Sequence, residues 1–483
     1  MNEKPQTIRL FVFKILHDKQ HSCRIKCSMD GFSSFFAILM LCAGLFLSVR
    51  INFFQFTHLG CAIKTALGLG QRRAAENVRR KQKSDASGVT PFQALSSALG
   101  GSIGTANIAG VASAIAIGGA GAVFYMWLAA LVGMGVKFCE IVLALRYREK
   151  RGGQWCGGAM LYIEKGFRKS NTGSRFLQSV SKPLAAGFAL FGTPLVQSNT
   201  IAMSVNDAVL LFLPKAEQKT VCIIAGAVTA ALVGIVILGG IQRIGKASEI
   251  IVPFMAIGYI AICIIVLSRF GSRILPAFRD IFSGALGIKQ AVGGAAGFGA
   301  ARALRIGMAR GVYSNEAGVG SAPMAHACAN TNDPVKQGMY GIFEVFADTI
   351  VMCTMTALVV LASGIPLQAG GEISGTSIAL RAFSTVLPER TTGIFLAVSM
   401  LLFAYTSLLG WAVYGMQCAK YLFGKRAPLP FCILYTVLTF AGALMKVDFV
   451  WTAGETLNYL MAAPNMLALL VLNREVRRET AFA

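Results

Sequence analysis

Apolar segments long enough to cross a bilayer recur along the whole chain. A membrane-spanning helix needs about 20 consecutive apolar residues, and 55% of the 483 residues are hydrophobic while 14% are charged. Because a soluble protein carries about 25% charged residues, the sequence predicts an all-α polytopic membrane protein. Eleven spans are predicted, near 32–50, 91–118, 119–147, 182–205, 220–240, 246–269, 283–307, 337–363, 391–422, 428–446 and 448–472.

The net charge of +23 lies mostly in the connections between these spans. Basic clusters such as 71–83 and 146–153 follow the rule that cytoplasmic loops of membrane proteins carry Lys and Arg. This placement argues against nucleic-acid binding, and it predicts an external N-terminus, a cytoplasmic C-terminus (473–483) and a location in the plasma (inner) membrane. Six basic residues in the first thirty and three Arg in 269–279 oppose this orientation.

The first 31 residues differ in character from the rest of the chain. His17, His21, Cys23 and Cys27 have spacings that could bind zinc, but a single short cluster is weak support for a metal site. We therefore expect a basic N-terminal tail at 1–31, followed at 32–90 by an extra transmembrane helix and a basic cytoplasmic loop. The twelve cysteines are scattered and give no disulfide framework.

Two glycine-rich stretches fall inside predicted spans, GGSIGTANIAG at 100–110 and GGAAGFGAA at 293–301. Secondary transporters often contain two inverted repeats, and paired Gly-interrupted segments point to their binding site. The spacing predicts one five-helix repeat at 91–269 and a second at 270–472. Close packing of helices through small residues is the alternative reading of both stretches.

An interrupted helix offers backbone groups of both polarities to a ligand. The exposed N–H end suits a carboxylate, whereas the carbonyl end suits an ammonium group or a small cation. Neither glycine-rich stretch contains an ionised side chain, so a zwitterion matches such a site. Thr105 and Asn107 are the polar side chains nearest the first break, and we assign both to the substrate. Asn107 could alternatively join a sodium shell.

Four longer motifs resemble the sodium:alanine (alanine/glycine:cation) symporter family: SIGTANIAGVASAIAIGGAGAVFYMW, GGAMLYIEKG, RGVYSNEAGVGSAPMAHA and MAAPNMLAL. The resemblance runs from about residue 40 to 472. It implies the leucine-transporter fold, a 5+5 inverted repeat with one additional N-terminal helix. It also implies sodium-driven import of a small neutral amino acid, alanine or glycine, by alternating access. The chain departs from the family pattern at Ala106, Ala159, Ala412, Val413 and Met416.

For the substrate, the resemblance adds the backbone of the first break at Gly104 and Ala106, together with Gln197 in the fourth span. An interhelical hydrogen bond is the alternative role of Gln197. Trp411 follows Ser407 by four residues on the same helix face and would limit the size of the substrate side chain. Phe298, in the second glycine-rich stretch, is a weaker candidate of the same kind.

For sodium, the resemblance aligns Thr406 and Ser407 with the two hydroxyls of the site shared within the leucine-transporter fold. Ser407 is therefore a candidate for both ligands. The carbonyls of Gly100 and Ile103 would complete the shell, since an unwound turn leaves carbonyls free of helical hydrogen bonds. We expect sodium as the coupling ion, no resident cofactor and no protein partner.

The remaining polar residues keep rival functions open. Asn315 and Glu316 fall in the predicted cytoplasmic connection after the seventh span, where we expect a structural or gating role. Glu344 and Asp348 lie four residues apart in the eighth span; they could carry protons in a proton-coupled carrier or exchanger, or be paired with polar neighbours. A channel is disfavoured because no pore-lining ring repeats. An enzyme using Glu316 and His326 is disfavoured because no nucleophile motif accompanies them.

Overall fold

The computed structural model describes residues 38–69, 88–169, 178–191, 194–287, 296–366, 375–445 and 447–481. The predicted N-terminal tail, with its His and Cys cluster, lies outside these residues. Helices make up almost all of the described chain, and one short antiparallel hairpin joins β1 (Glu149–Arg151) to β2 (Gln154–Cys156). The predicted all-α class is confirmed.

The helices are numbered here in chain order. They are α1 (Ile38–Arg50), α2 (Phe54–Thr57), α3 (Leu59–Ala66), α4 (Pro91–Ser102), α5 (Ala109–Gly118), α6 (Gly121–Tyr147), α7 (Ala159–Lys169), α8 (Ser181–Phe191), α9 (Pro194–Leu210), α10 (Gln218–Ile237), α11 (Gly240–Ser268), α12 (Gly271–Ala285), α13 (Ala296–Asn315), α14 (Ala322–His326), α15 (Pro334–Ser363), α16 (Gly375–Phe383), α17 (Glu389–Phe423), α18 (Pro428–Ala443) and α19 (Val447–Ala481).

The predicted second span is broken, as its glycines indicated. Helix α4 begins with a capping box, in which the Thr90 side chain accepts from the Gln93 N–H and the Gln93 side chain accepts from the Thr90 N–H. Such a box satisfies two of the free donors at a helix start. The helix ends at Ser102, a 3₁₀ turn follows at Thr105–Asn107, and α5 resumes at Ala109.

The predicted seventh span, 283–307, is wrong in its bounds. Helix α12 ends at Ala285, and α13 runs from Ala296 to Asn315. Residues 296–301 of the second glycine-rich stretch are helical, and 293–295 lie outside the described residues. The described interruption comes later, at 316–321, before the short helix α14. Glycine lowers helix propensity by only about 1 kcal/mol, so small residues by themselves do not decide where a helix stops.

Three further spans differ in detail from the sequence prediction. The span at 182–205 consists of two helices, α8 and α9. Helix α15 contains a π-helical segment at Phe346–Cys353, a feature often found at functional sites. Helix α19 continues through most of the predicted C-terminal tail to Ala481.

The outside of the bundle is apolar where lipid would surround it. Among the described residues, five helices are long and apolar enough to cross a membrane: α6, α10, α11, α15 and α17. Large apolar side chains such as Ile250, Phe254 and Ile257 of α11 are exposed, whereas the charged Lys137, Glu140 and Glu344 are fully buried. This inverts the distribution of a water-soluble protein and suits a bilayer.

Candidate functional site

The break between α4 and α5 frees backbone carbonyls. The Gly104 N–H donates to Asn107 Oδ1 at 2.9 Å, where a continuous helix would direct it to the Gly100 carbonyl. The Asn107 N–H donates to the Gly104 carbonyl at 3.2 Å, where a helix would direct it to Ile103. Within the part of the chain that the structure describes, no N–H bonds to the carbonyl of Gly100 or Ile103. Both carbonyl oxygens predicted to bind sodium are therefore available to a cation.

Helix α17 lies against this break at the predicted pair of hydroxyls. A Cβ atom added at Gly100 would lie 3.1 Å from the Thr406 carbonyl oxygen and 3.3 Å from Thr406 Cβ. The Thr406 hydroxyl donates to the Phe403 carbonyl at 3.0 Å, and the Ser407 hydroxyl donates to the same oxygen at 3.0 Å. These bonds use the hydroxyl protons and leave oxygen lone pairs free. Neutral carbonyl and hydroxyl oxygens are ligands that a hard cation accepts.

The predicted substrate residues Gly104, Ser407 and Gln197 meet at one point. A Cβ atom at Gly104 would lie 2.9 Å from Ser407 Oγ and 3.6 Å from Gln197 Nε2. Oε1 of Gln197 is buried and has no hydrogen-bond partner within the described chain. An unpaired buried acceptor is costly, so this oxygen marks a place for a donor such as an ammonium group.

Thr105 and Ala106 lie in the 3₁₀ turn and are buried. Both ends of the Asn107 side-chain amide have partners within the protein, and its predicted role in binding substrate or sodium stays a prediction. Its Oδ1 accepts from Gly104, and its Nδ2 donates to Asp348 Oδ1 at 2.7 Å. The Asn107 side chain therefore braces the break, since it joins the Gly104 N–H to Asp348 of α15.

Asp348 connects the two interrupted helices. Besides Asn107 from the first break, its Oδ2 accepts from Ser314 in the last turn of α13 at 2.8 Å and from Thr349 at 2.8 Å. Asn315 extends the network, since its Nδ2 donates to Thr349 Oγ1 at 3.2 Å. Asp348 lies on the π-helical segment of α15, and three neutral donors satisfy its buried carboxylate.

Glu344, one helical turn before Asp348, belongs to a separate buried network. Its Oε1 lies 3.2 Å from Lys137 Nζ, and its Oε2 lies 3.1 Å from His326 Nε2. His326 also contacts Gln337 at 2.8 Å through Nδ1. Both carboxylates are therefore paired with polar neighbours, and a role for either in carrying protons stays a prediction. His326 pairs with Glu344, so it does not form the acid–base pair with Glu316 that an enzyme reading required.

Trp411 of α17 is fixed by contacts from several elements. Its ring lies 6.5 Å from that of Phe188 and 5.3 Å from that of Tyr414, between centroids. Its Nε1–H donates to Glu316 Oε1 at 3.1 Å. Phe298 is in the first turn of α13, and its side chain lies outside the described residues.

Sequence reasoning missed the contact between Glu316 and Trp411. The sequence predicts Glu316 in a cytoplasmic connection with a structural or gating role. In the structure it lies buried at the interruption between α13 and α14, in contact with Trp411, which is predicted to limit the size of the substrate side chain. The string NEAGVGS carries the same glycine signal that identified the first break. Gly318 and Gly320 both have positive φ, 81° and 89°, a conformation that glycine adopts without strain.

Comparison with known proteins adds a consistent result. Residues 25–481 match the sodium:alanine symporter family. The sodium/alanine symporter AgcS of Methanococcus maripaludis is 38% identical over 448 residues, which are 92% of this chain and 92% of that protein. The probable sodium/glutamine symporter GlnT of Bacillus subtilis is 34% identical, over 92% of this chain and 86% of that protein.

The putative sodium/proton-dependent alanine carrier protein YrbD of Bacillus subtilis is also 34% identical, over 90% of this chain and 86% of that protein. Among solved structures, MhsT in complex with L-phenylalanine matches 82% of this chain and 99% of that chain at 13% identity, with a TM-score of 0.49.

Proposed function

Because the chain belongs to the sodium:alanine symporter family, a family of multi-pass membrane transporters and not of enzymes, we propose that it imports alanine or glycine with sodium. The observation that carries this proposal is the pair of freed carbonyls, Gly100 and Ile103, in a break that packs against α17 at Thr406 and Ser407. Unlike an ordinary helix pair, this arrangement presents several neutral oxygens that lack a donor. A small cation is the ligand that needs such oxygens.

The amino acid would bind on the other side of Ser407. Gln197 Oε1, without a partner in the described chain, would accept from the substrate ammonium group. The N–H groups of Thr105 and Ala106, at the start of the resumed chain, would face its carboxylate. Trp411 would bound the side chain, which favours alanine and glycine over larger neutral amino acids.

Alternating access would rearrange the two repeats, 91–269 and 270–472, around this site. Asp348 binds Asn107 at one interruption and Ser314 at the edge of the other. A change at one break is thereby transmitted to the other through a single carboxylate. We assign the N-terminus to the outside and the C-terminus to the cytoplasm of the plasma membrane, which reporter fusions at residues 2 and 481 would test.

Uptake by purified protein in vesicles tests the coupling ion. We expect labelled alanine to accumulate when an inward sodium gradient is imposed, and to accumulate equally when a protonophore collapses the proton gradient. Glycine should compete at similar concentrations. Equal uptake in sodium-free potassium buffer would refute the proposal.

A proton-coupled carrier of the same fold is the second candidate. It is favoured by one observation, the fully buried carboxylate of Asp348, whose hydrogen-bond donors within the described residues are all neutral. In that case an inward proton gradient would drive uptake without sodium. The vesicle experiment separates the two candidates because each gradient is imposed alone.

A further inference from the structure

Glu316 has an unusual backbone conformation at the second interruption. Its φ of 52° lies in the left-handed region, which is sterically unfavourable for a residue with a Cβ atom. The side chain is 6% exposed. Strained residues persist where their surroundings hold them, and they concentrate at functional sites.

Both carboxylate oxygens of Glu316 have partners from different elements. Oε1 accepts from Trp411 Nε1 of α17 at 3.1 Å, and Oε2 accepts from the hydroxyl of Ser321, immediately before α14, at 2.6 Å. Glu316 thus spans the interruption and attaches it to α17. An indole has a single donor and no acceptor, so this bond engages the only polar group of Trp411.

The Trp411 ring is packed between aromatic neighbours, and this hydrogen bond fixes its polar edge. Phe188 and Tyr414 pack against the ring at tilted and T-shaped angles, 36° and 68°. A hydrogen bond to a carboxylate is directional and about twice as strong as a neutral one. The indole edge that carries Nε1 is therefore held toward the second interruption.

We propose that Glu316 is a positioning residue for amino-acid size: it holds the indole of Trp411 in the orientation that closes the pocket to side chains larger than a methyl group. The inference rests on the proposed function, since it needs Trp411 to bound the substrate. It gives the second interruption a part in selecting the substrate, exerted through Trp411.

Competition experiments on alanine uptake test the inference. Glu316→Ala removes the acceptor, so the ratio of the inhibition constants for leucine and alanine should fall about tenfold, the low end of the 10–200-fold that one misfit methylene produces. Glu316→Gln keeps a carbonyl for Trp411 and an amide donor for Ser321, and it should retain most of the wild-type ratio. The half-saturating sodium concentration should stay within about twofold in both.

Trp411→Phe supplies the matched test, because it keeps an aromatic ring and removes only the indole donor and second ring. It should lower the leucine-to-alanine ratio in the same direction as Glu316→Ala. Adding Glu316→Ala to Trp411→Phe should then change the ratio by less than twofold. This coupling distinguishes positioning through Trp411 from a general loosening of the fold.

An unchanged ratio in Glu316→Ala would overturn the inference, as would a full tenfold effect of Glu316→Ala in the Trp411→Phe background. If Glu316→Ala does not accumulate, Trp411→Phe alone decides, and wild-type selectivity in that variant overturns the inference. Failure of the proposed function is recognised separately, because wild-type protein would then show no sodium-driven alanine uptake.

Discussion

Gly100→Ala adds one methyl group at the contact between α4 and α17. The new Cβ atom would lie 3.1 Å from the Thr406 carbonyl oxygen, 3.3 Å from Thr406 Cβ and 3.4 Å from Val252 Cγ2. Ordinary van der Waals contacts between such atoms are longer, about 3.5–4.0 Å. The two helices must therefore separate by a few tenths of an ångström, which moves the carbonyls of the break away from the Thr406 and Ser407 hydroxyls.

Sodium binding should weaken because the groups that would hold the ion move apart, although the substitution removes no ligand atom. Inserting a methyl group into a packed contact costs about 1–3 kcal/mol, and about 1.4 kcal/mol corresponds to a tenfold change in affinity. The half-saturating sodium concentration for alanine uptake should therefore rise about 5- to 150-fold. The free energy of unfolding should also fall, and the preference of alanine over glycine in a helix, up to about 1 kcal/mol, should offset part of this loss.

Alanine uptake measured against sodium concentration in vesicles checks this prediction. Gly258→Ala is the matched control, because Gly258 lies inside the neighbouring helix α11 and a Cβ atom there meets no heavy atom within 4 Å. That variant should gain only the stability that alanine gives a helix over glycine, and its uptake should depend on sodium concentration as in the wild type. If Gly100→Ala is expressed at the wild-type level and also has wild-type sodium dependence, the carbonyls of this break do not bind sodium.

Three further substitutions probe the buried polar groups. Thr406→Ala should weaken sodium binding by about 1–2 kcal/mol, the scale of a lost buried polar partner. The KM for alanine at saturating sodium should change little. An unchanged dependence of uptake on sodium concentration would show that the hydroxyl does not bind sodium. Asp348→Ala leaves the donors of Asn107 and Ser314 unpaired, so thermal unfolding in detergent should show that stability falls by about 1–3 kcal/mol per donor. Asp348→Asn should lose less stability, and equal losses in the two variants would contradict the bracing role. Lys137→Met leaves Glu344 buried without its cation and should lower the stability by about 3–5 kcal/mol. A second substitution, Glu344→Gln, should restore part of that stability. No recovery in the double variant would argue against the ion pair.

Partners that are distant in sequence decided the roles of several candidate residues. The sequence assigns Asn107 to the substrate because it is a polar residue at a broken helix, but its side-chain amide is hydrogen-bonded to Asp348, 241 positions away. Nothing local in the sequence indicates that contact. Local sequence likewise gives no sign that Glu316 contacts Trp411, because the indole that donates to it is 95 positions away.

The position of the second break shows where local composition fails. Residues 296–301 are helical and contain two glycines, whereas NEAGVGS, which also contains two, is interrupted. Glycine makes a helix only about 1 kcal/mol less favourable per residue. The hydrogen bond from Trp411 of α17 to Glu316, whose backbone is left-handed, belongs to the tertiary structure and has no local signature in the sequence.

The sequence by itself determined the all-α membrane class, the family, and the first break, because each depends on local properties. Apolar length reports transfer into lipid, and GGSIGTANIAG combines weak helix formers with polar side chains in one window. The tertiary structure alone decided which carbonyls are free and which buried side chains are hydrogen-bonded to one another. These are properties of pairs of groups brought together from α4, α13, α15 and α17, and a hydrogen bond is made or lost over a few tenths of an ångström.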